Sequence, residues 1–153
     1  MAYPIAESLE MAVPALTVWE MVTDLPRMGE WSPENQGGRW AKGATGPAPG
    51  AVFAGHNKSG LRRWSTRVEV TECQPGKAFE IGVTFMRLPV AHWRYDFEDL
   101  PGGAGCKVTE SWQDDRSPWQ AVVGRVMGDH SAKHARTEMA TTLANLAKAT
   151  SAN

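Results

Sequence analysis

The segment DLPRMGEWSPENQGGRWAKGATGPAPGAVFAGHNKSGLRRW, residues Asp24–Trp64, is the most informative part of the chain. Its Asp-Leu-Pro start predicts the end of a helix, a Trp-Ser-Pro turn follows, and two glycine-punctuated strands come next. The large rings in the segment are Phe53 and the indoles of Trp31, Trp40 and Trp64. Rings beside Gly and Asn favour the wall of a cavity over a solid core, so we expect a binder of apolar small molecules.

Length and composition limit the classes of protein that the chain can belong to. Its 153 residues suit a single domain, residues 1–153, whose core is large enough to fold without disulfides. With 16 basic and 17 acidic residues it has no basic excess, and we expect no nucleic-acid partner. The two cysteines, Cys73 and Cys106, indicate free thiols of a reducing compartment rather than a disulfide framework.

We also expect no segment for export or membrane insertion. The start, MAYPIAESLEMAV, has no basic region followed by an apolar run, as a signal peptide would. No stretch approaches the roughly 18 apolar residues that span a bilayer. We therefore expect a cytoplasmic protein, a monomer or homodimer, with no stable membrane insertion.

The order of predicted elements favours an α+β fold. Alternation over residues 4–13 predicts a first strand, and Pro14 opens a helix that Pro26 stops, with one more helical turn at residues 27–31. Residues 35–116 show turn signals about every 10–15 residues, as in an antiparallel meander. Ser117-Pro118 then caps a helical region that reaches about Lys148. A curved sheet gripping this last helix would cover its apolar face, with solid core or a cavity between them.

Alternation within the strands predicts which side chains face inward. The predicted inward set is Trp64, Thr66, Val68, Val70, Phe79, Ile81, Val83, Phe85, Trp93, Tyr95, Phe97, Val108, Glu110 and Trp112. Glu110 is the exception in this apolar set, and burial should raise the pKa of its carboxyl group. It is either a structural carboxylate held by a hydrogen bond, or a group that orients a ligand or acts as a general acid or base.

The last helical region carries two apolar stripes. One comprises Trp119, Val123, Val126, Met127, His130 and His134, and the other Met139, Leu143 and Leu146. The second stripe continues backwards through small residues, so the helix either breaks near Gly128 or leaves room for a ligand; Gly124 and Gly128 favour a break. His130 and His134 stand four residues apart, but no third ligand accompanies them, and we expect no metal site and no cofactor.

The candidate ligand-binding residues are Trp31, Asn57, Trp64, Phe85, Trp93, Tyr95, Glu110, Trp112 and His130. Asn57 is four residues after Phe53 on the same predicted strand, so its amide should face the interior as Phe53 does. A turn-capping role suits Asn57 equally. The candidate catalytic residues are Glu110, Tyr95 and His130. No nucleophile elbow, phosphate-binding loop or dinucleotide fingerprint occurs in the sequence.

Several runs in the sequence together resemble one family. They are TDLPRMGEWSPENQGGRW, GAVFAGHN, VEVTECQPGKAFEIGV, AHWRYDFE and VTESW. In order and spacing these runs are similar to the polyketide cyclase/dehydrase-type proteins of the START/SRPBCC superfamily, above all to actinobacterial members, over about residues 5–148. The resemblance implies a helix-grip fold: a curved seven-stranded antiparallel sheet around a long C-terminal helix, with two short helices after the first strand and a hydrophobic cavity.

The resemblance leaves the activity open, because proteins of this superfamily carry lipids, bind cofactors, cyclise polyketides or hydrolyse substrates. One hypothesis is a protein that binds a hydrophobic or aromatic small molecule, lipid or polyketide-like. The alternative is a polyketide cyclase or dehydratase that uses acid and base groups of the cavity. An enzyme requires two or more polar groups converging on one point of the cavity, whereas a carrier can have them scattered. A regulatory role through a protein partner is a third possibility, without a specific signal.

Overall fold

The computed structural model describes residues 3–127 and 132–151, with residues 125–127 described in their backbone alone. Seven antiparallel strands form one curved sheet in the order β1-β7-β6-β5-β4-β3-β2. The strands are β1 Ile5–Met11, β2 Asn35–Ala41, β3 Val52–Ser59, β4 Arg62–Gln74, β5 Ala78–Phe85, β6 Leu88–Asp99 and β7 Cys106–Asp114. The α+β helix-grip architecture expected from the sequence is therefore confirmed.

The helices lie before and after the meander, apart from one short 3₁₀ turn between β6 and β7. They are α1 Ala15–Thr23, a 3₁₀ helix Leu25–Glu30, a one-turn 3₁₀ helix Pro101–Gly103, α2 Pro118–Met127 and α3 Ala132–Ser151. Pro14, expected in the first helical turn, is instead the extended N-cap residue of α1, with φ −60° and ψ 149°. Ser117 directly precedes α2, as expected, and the Gln120 side chain accepts hydrogen bonds from both the backbone N–H and the hydroxyl of Ser117.

Different turns and helices lie at the two ends of the sheet. The β3–β4 and β5–β6 turns and the start of α2 share one end, called the upper end below. At the opposite, lower end, α1 packs on β5 and β6. The Trp19 indole N–H donates a hydrogen bond to the carbonyl of Ala78, and the backbone N–H of Ala15 donates one to the Asp99 carboxylate. No helix in the described residues is long and apolar enough to cross a membrane.

The two apolar stripes of the C-terminal region differ in burial. Met139, Leu143 and Leu146 are fully buried, so the second stripe faces the sheet as predicted. The first stripe is exposed at its start, at Trp119 and Val123 on α2. These side chains belong to α2, whereas it is α3 that packs along β1 and β7. The expected break near Gly128 lies outside the described residues.

Glycines let the 3₁₀ helix lie directly on β2. Gly37 has a φ of 87°, and a Cβ at this position would meet the carbonyl oxygen of Pro26 at 2.4 Å. Gly38 has a φ of 144°, and its Cβ would lie 2.0 Å from the carbonyl oxygen of Ala54 on β3. The pairing of β2 with β3 is irregular between Asn35 and Gly38. Only glycine permits both this backbone conformation and this approach.

Candidate functional site

Glu110 lies midway along β7 with its side chain on the buried face of the sheet, as alternation predicted. On β7 it stands opposite Tyr95 of β6 and Glu7 of β1. The Tyr95 hydroxyl donates a 2.7 Å hydrogen bond to Glu110 Oε1. Both residues are buried, Glu110 being only 3% exposed. Strand register has therefore joined two of the three candidate catalytic residues in one buried pair.

The other carboxyl oxygen of Glu110 is the unusual atom of this pair. Oε2 is buried and makes no hydrogen bond within the part of the chain that the structure describes. Burial raises the pKa of Glu110 to about 8, an effect that the Tyr95 hydrogen bond opposes and the charge of Glu138 reinforces. Burial and the neighbouring Glu110 also raise the pKa of Tyr95 well above its usual value. At neutral pH the site therefore presents a protonated acid whose second oxygen has no partner among the described residues.

A second polar cluster lies on α3 and at the start of β2. The His134 Nε2 atom is 2.8 Å from Glu34 Oε1 and 3.7 Å from Glu138 Oε1. Burial raises the pKa of Glu138 to about 7, with a further rise from Glu34 and an opposing effect of His134. The charge of Glu138 also raises the pKa values of Glu110 and Tyr95, so α3 holds a second titrating acid near the buried pair.

The same three residues could hold a metal ion, because one ligand atom from each lies within 4.8 Å of the others. Two carboxylates and an imidazole are ligands that divalent transition metals accept. The sequence pointed instead to His130 with His134 and favoured no metal site. His130 lies outside the described residues. Hydrogen bonding between His134 and Glu34 already accounts for their proximity.

An aromatic pair stands next to Glu110 on the upper side. Trp93 and Trp112 face each other across β6 and β7 with ring centroids 6.3 Å apart. Trp112 is buried, and the partly buried Trp93 packs against both apolar clusters of the core. Tyr95 stacks on Phe97 in the other direction, also with centroids 6.3 Å apart. The structure thus brings together four predicted ligand-binding residues: Trp93, Tyr95, Glu110 and Trp112.

The other predicted binding residues lie apart from this group. Trp31 is buried in the main core, where its indole N–H contacts the sulfur of Met28 at 3.1 Å. The Asn57 amide donates to the Thr66 hydroxyl, and half-buried Trp64 stands opposite Asn57. Phe85, expected to point inward, is 39% exposed because it directly precedes the β5–β6 turn, beyond the buried rows.

The sequence interpretation missed Glu34 and Glu138. The spacing of His134 and Glu138, four residues apart on one helix, was a signal available in the sequence. Glu34 carried no such signal, because 100 residues separate it from His134. A surface depression of about 740 Å³ at the lower end, between α1, the 3₁₀ helix and the end of α3, is lined by neither Tyr95 nor Glu110.

Comparison with known proteins identifies the family. The family described as "Polyketide cyclase / dehydrase and lipid transport" matches residues 5–150. A polyketide cyclase-like protein of Corynebacterium glutamicum is 30% identical, with a TM-score of 0.62 over 96% of this chain and 90% of that one. This similarity favours the actinobacterial branch, which stays a prediction. Among curated protein sequences, none is significantly similar.

More distant structures share the fold alone. A protein of Mesorhizobium loti is 14% identical, with a TM-score of 0.69 over 97% of both chains. The di-domain ARO/CYC protein BexL of the BE-7585A biosynthetic pathway is 17% identical, with a TM-score of 0.68 over 94% of this chain and 48% of that one. With the family match covering nearly the whole chain, this protein belongs to the polyketide cyclase/dehydrase and lipid transport family.

Proposed function

We propose that the protein binds a hydrophobic or aromatic small molecule, lipid or polyketide-like, that accepts a hydrogen bond from Glu110. The observation that carries this proposal is the buried Oε2 atom, which is left without a partner in the described residues. A buried polar atom without a hydrogen bond costs about 1–3 kcal/mol, and a ligand carbonyl or hydroxyl would recover part of that cost. Trp93 and Trp112 supply apolar area beside it.

Matched ligands test the hydrogen bond directly. Fluorene and 9-fluorenone have the same ring frame, and only the ketone can accept a hydrogen bond from Glu110. Quenching of tryptophan fluorescence should show the ketone binding about tenfold more tightly at pH 6.5. Above pH 9 Glu110 is ionised, because burial raises its pKa to about 8, and the preference should disappear.

Glu110→Gln separates the hydrogen bond from the charge. The amide retains a donor but cannot ionise, so the ketone preference should persist at pH 9. Exposed Glu10, on the edge strand β1, gives the control Glu10→Gln, which should behave as the wild type at both pH values. Equal affinity for ketone and hydrocarbon at pH 6.5 would refute the proposal. Native mass spectrometry of freshly purified protein should in addition detect a co-purifying apolar compound.

A second candidate function, a polyketide cyclase or dehydratase, is favoured by the two acids with pKa values of about 8 and about 7. Near neutral pH, Glu138 in its ionised form can take a proton from the carbon next to a substrate carbonyl. The electron pair then moves to the carbonyl oxygen, which takes the proton of Glu110. One group thus acts as base while the other acts as acid.

Glu138→Gln tests this candidate. With a poly-β-ketone thioester as substrate, loss of water measured by mass spectrometry should slow by about 100-fold or more. Affinity for 9-fluorenone should stay within about threefold, because the hydrogen bond from Glu110 is retained. Unchanged turnover in Glu138→Gln, or no turnover in the wild-type protein, would leave binding as the function.

A further inference from the structure

The upper end of the sheet carries exposed apolar side chains on three separate elements. Leu61 is fully exposed in the β3–β4 turn, and Met86 is 79% exposed in the β5–β6 turn. On α2, Trp119 is 60% exposed, and Val122 and Val123 are also exposed. The Gln120 side chain donates to the carbonyl of Pro89 and so joins α2 to the β5–β6 strands. These residues form the upper face.

The segments that carry these side chains contain basic residues and no acidic ones. Residues 56–67, 84–94 and 117–127 contain no Asp or Glu. Four exposed cations, Lys58, Arg62, Arg63 and Arg87, form no ion pair with the residues that the structure describes. Lys58 and Arg63 stand directly opposite each other across β3 and β4, an arrangement that repulsion disfavours. An anionic surface would neutralise these charges.

The β5–β6 turn is strained in a way that exposes one apolar and one cationic residue. Its two central residues, Met86 and Arg87, have positive φ values of 50° and 67°. Two-residue hairpin turns with this backbone prefer Asn-Gly, because other side chains crowd the carbonyl group there. The turn thus retains Met and Arg at its tip despite a backbone cost. Strain of this kind is typical of functional sites.

We propose that the upper face docks on an anionic lipid surface. Leu61, Met86 and Trp119 enter the interface between headgroups and acyl chains, while the four cations contact lipid phosphates. Projecting turn tips suit a deformable lipid layer better than a protein partner, whose interface needs close shape complementarity. Such docking differs from stable insertion, which the sequence argued against. The inference does not depend on what Glu110 binds.

Vesicle co-sedimentation tests the proposal with two compositions: phosphatidylglycerol mixed with phosphatidylcholine, and phosphatidylcholine alone. The wild-type protein should bind the anionic vesicles at least about tenfold more tightly, and salt should weaken that binding. Leu61→Ser with Arg62→Ser should reduce binding by about tenfold or more. The control, Leu16→Ser with Lys77→Ser, removes an exposed apolar residue and a cation from the lower end and should change binding less than twofold.

The double variant Met86→Asn with Arg87→Gly makes the test sharper. It installs the residues that the turn prefers, so its Tm should rise by about 2–4 °C while vesicle binding falls about fivefold or more. A loss of binding in a more stable protein cannot result from unfolding. Equal binding to both vesicle types, or no binding to either, would overturn the proposal. So would a dimer in sedimentation velocity that Leu61→Ser with Arg62→Ser dissociates while vesicle binding is absent, since a second copy would then cover the face.

Discussion

Glu110→Gln should make the protein more stable above pH 8 and reduce the pH dependence of its stability between pH 5 and pH 8. Burial raises the pKa of Glu110 to about 8 in the folded protein, against about 4.3 in an unfolded chain. Between these values the folded state holds a proton that the unfolded state has lost. The free energy of unfolding therefore falls as pH rises through this window.

The size of this effect follows from the shift of the pKa. Each unit corresponds to about 1.4 kcal/mol, so Glu110 should contribute at most about 5 kcal/mol to the fall in wild-type stability across the window. Gln keeps an acceptor for the Tyr95 hydroxyl and cannot ionise, so its variant escapes the loss. A smaller slope should remain below pH 7, because burial also raises the pKa of Glu138, to about 7.

Urea unfolding at pH 5, 7 and 9 measures these free energies directly. The control Glu10→Gln alters an exposed carboxylate and should run parallel to the wild type. A wild-type stability that is constant from pH 5 to pH 8 would show that Glu110 is ionised in the folded protein. In that case Oε2 could not donate a hydrogen bond to a ligand.

Gly38→Ala should destabilise the protein by more than about 3 kcal/mol or prevent folding. The new Cβ would lie 2.0 Å from the carbonyl oxygen of Ala54, in a backbone conformation with φ 144° that other residues rarely adopt. Relief requires β2 to move away from β3, which would also disturb the 3₁₀ helix packed on β2. A thermal or urea melt gives the change in stability.

Gly43→Ala is the matched control for this substitution. Gly43 also has a positive φ, 81°, but no atom lies within 4 Å of the Cβ position. Its replacement should cost only about 1 kcal/mol, the usual cost of a left-handed backbone for alanine. Equal losses for Gly38→Ala and Gly43→Ala would contradict the argument, because the close approach to Ala54 would then contribute nothing.

Strand alternation was a reliable guide to the sheet. It placed Val68, Val70, Phe79 and Glu110 on the buried face, because side chains of a strand alternate strictly between two faces. The same rule was wrong for Phe85, which shares the parity of Ile81 but stands directly before the turn. Alternation gives the direction of a side chain, whereas its burial also depends on what lies over it.

Helical periodicity was a weaker guide. It identified Met139, Leu143 and Leu146 as a buried stripe, yet it gave the same weight to Trp119 and Val123, which are exposed. An apolar stripe shows only that apolar residues lie on the same side of the helix. Whether that side meets the sheet depends on where the helix lies, and α2 and α3 have separate ranges with different packing.

The sequence by itself determined the α+β class, the order of elements, the family resemblance and an inward-facing Glu110, because these depend on local periodicity, turn residues and motif order. Only the tertiary structure decided that Tyr95 donates to Glu110, that Glu34 joins His134 and Glu138, and that cations without an ion pair in the described residues lie beside apolar turn tips. Those contacts join residues far apart in the chain. They depend on strand register and on the position at which α3 packs against the sheet. No local sequence pattern encodes either of these.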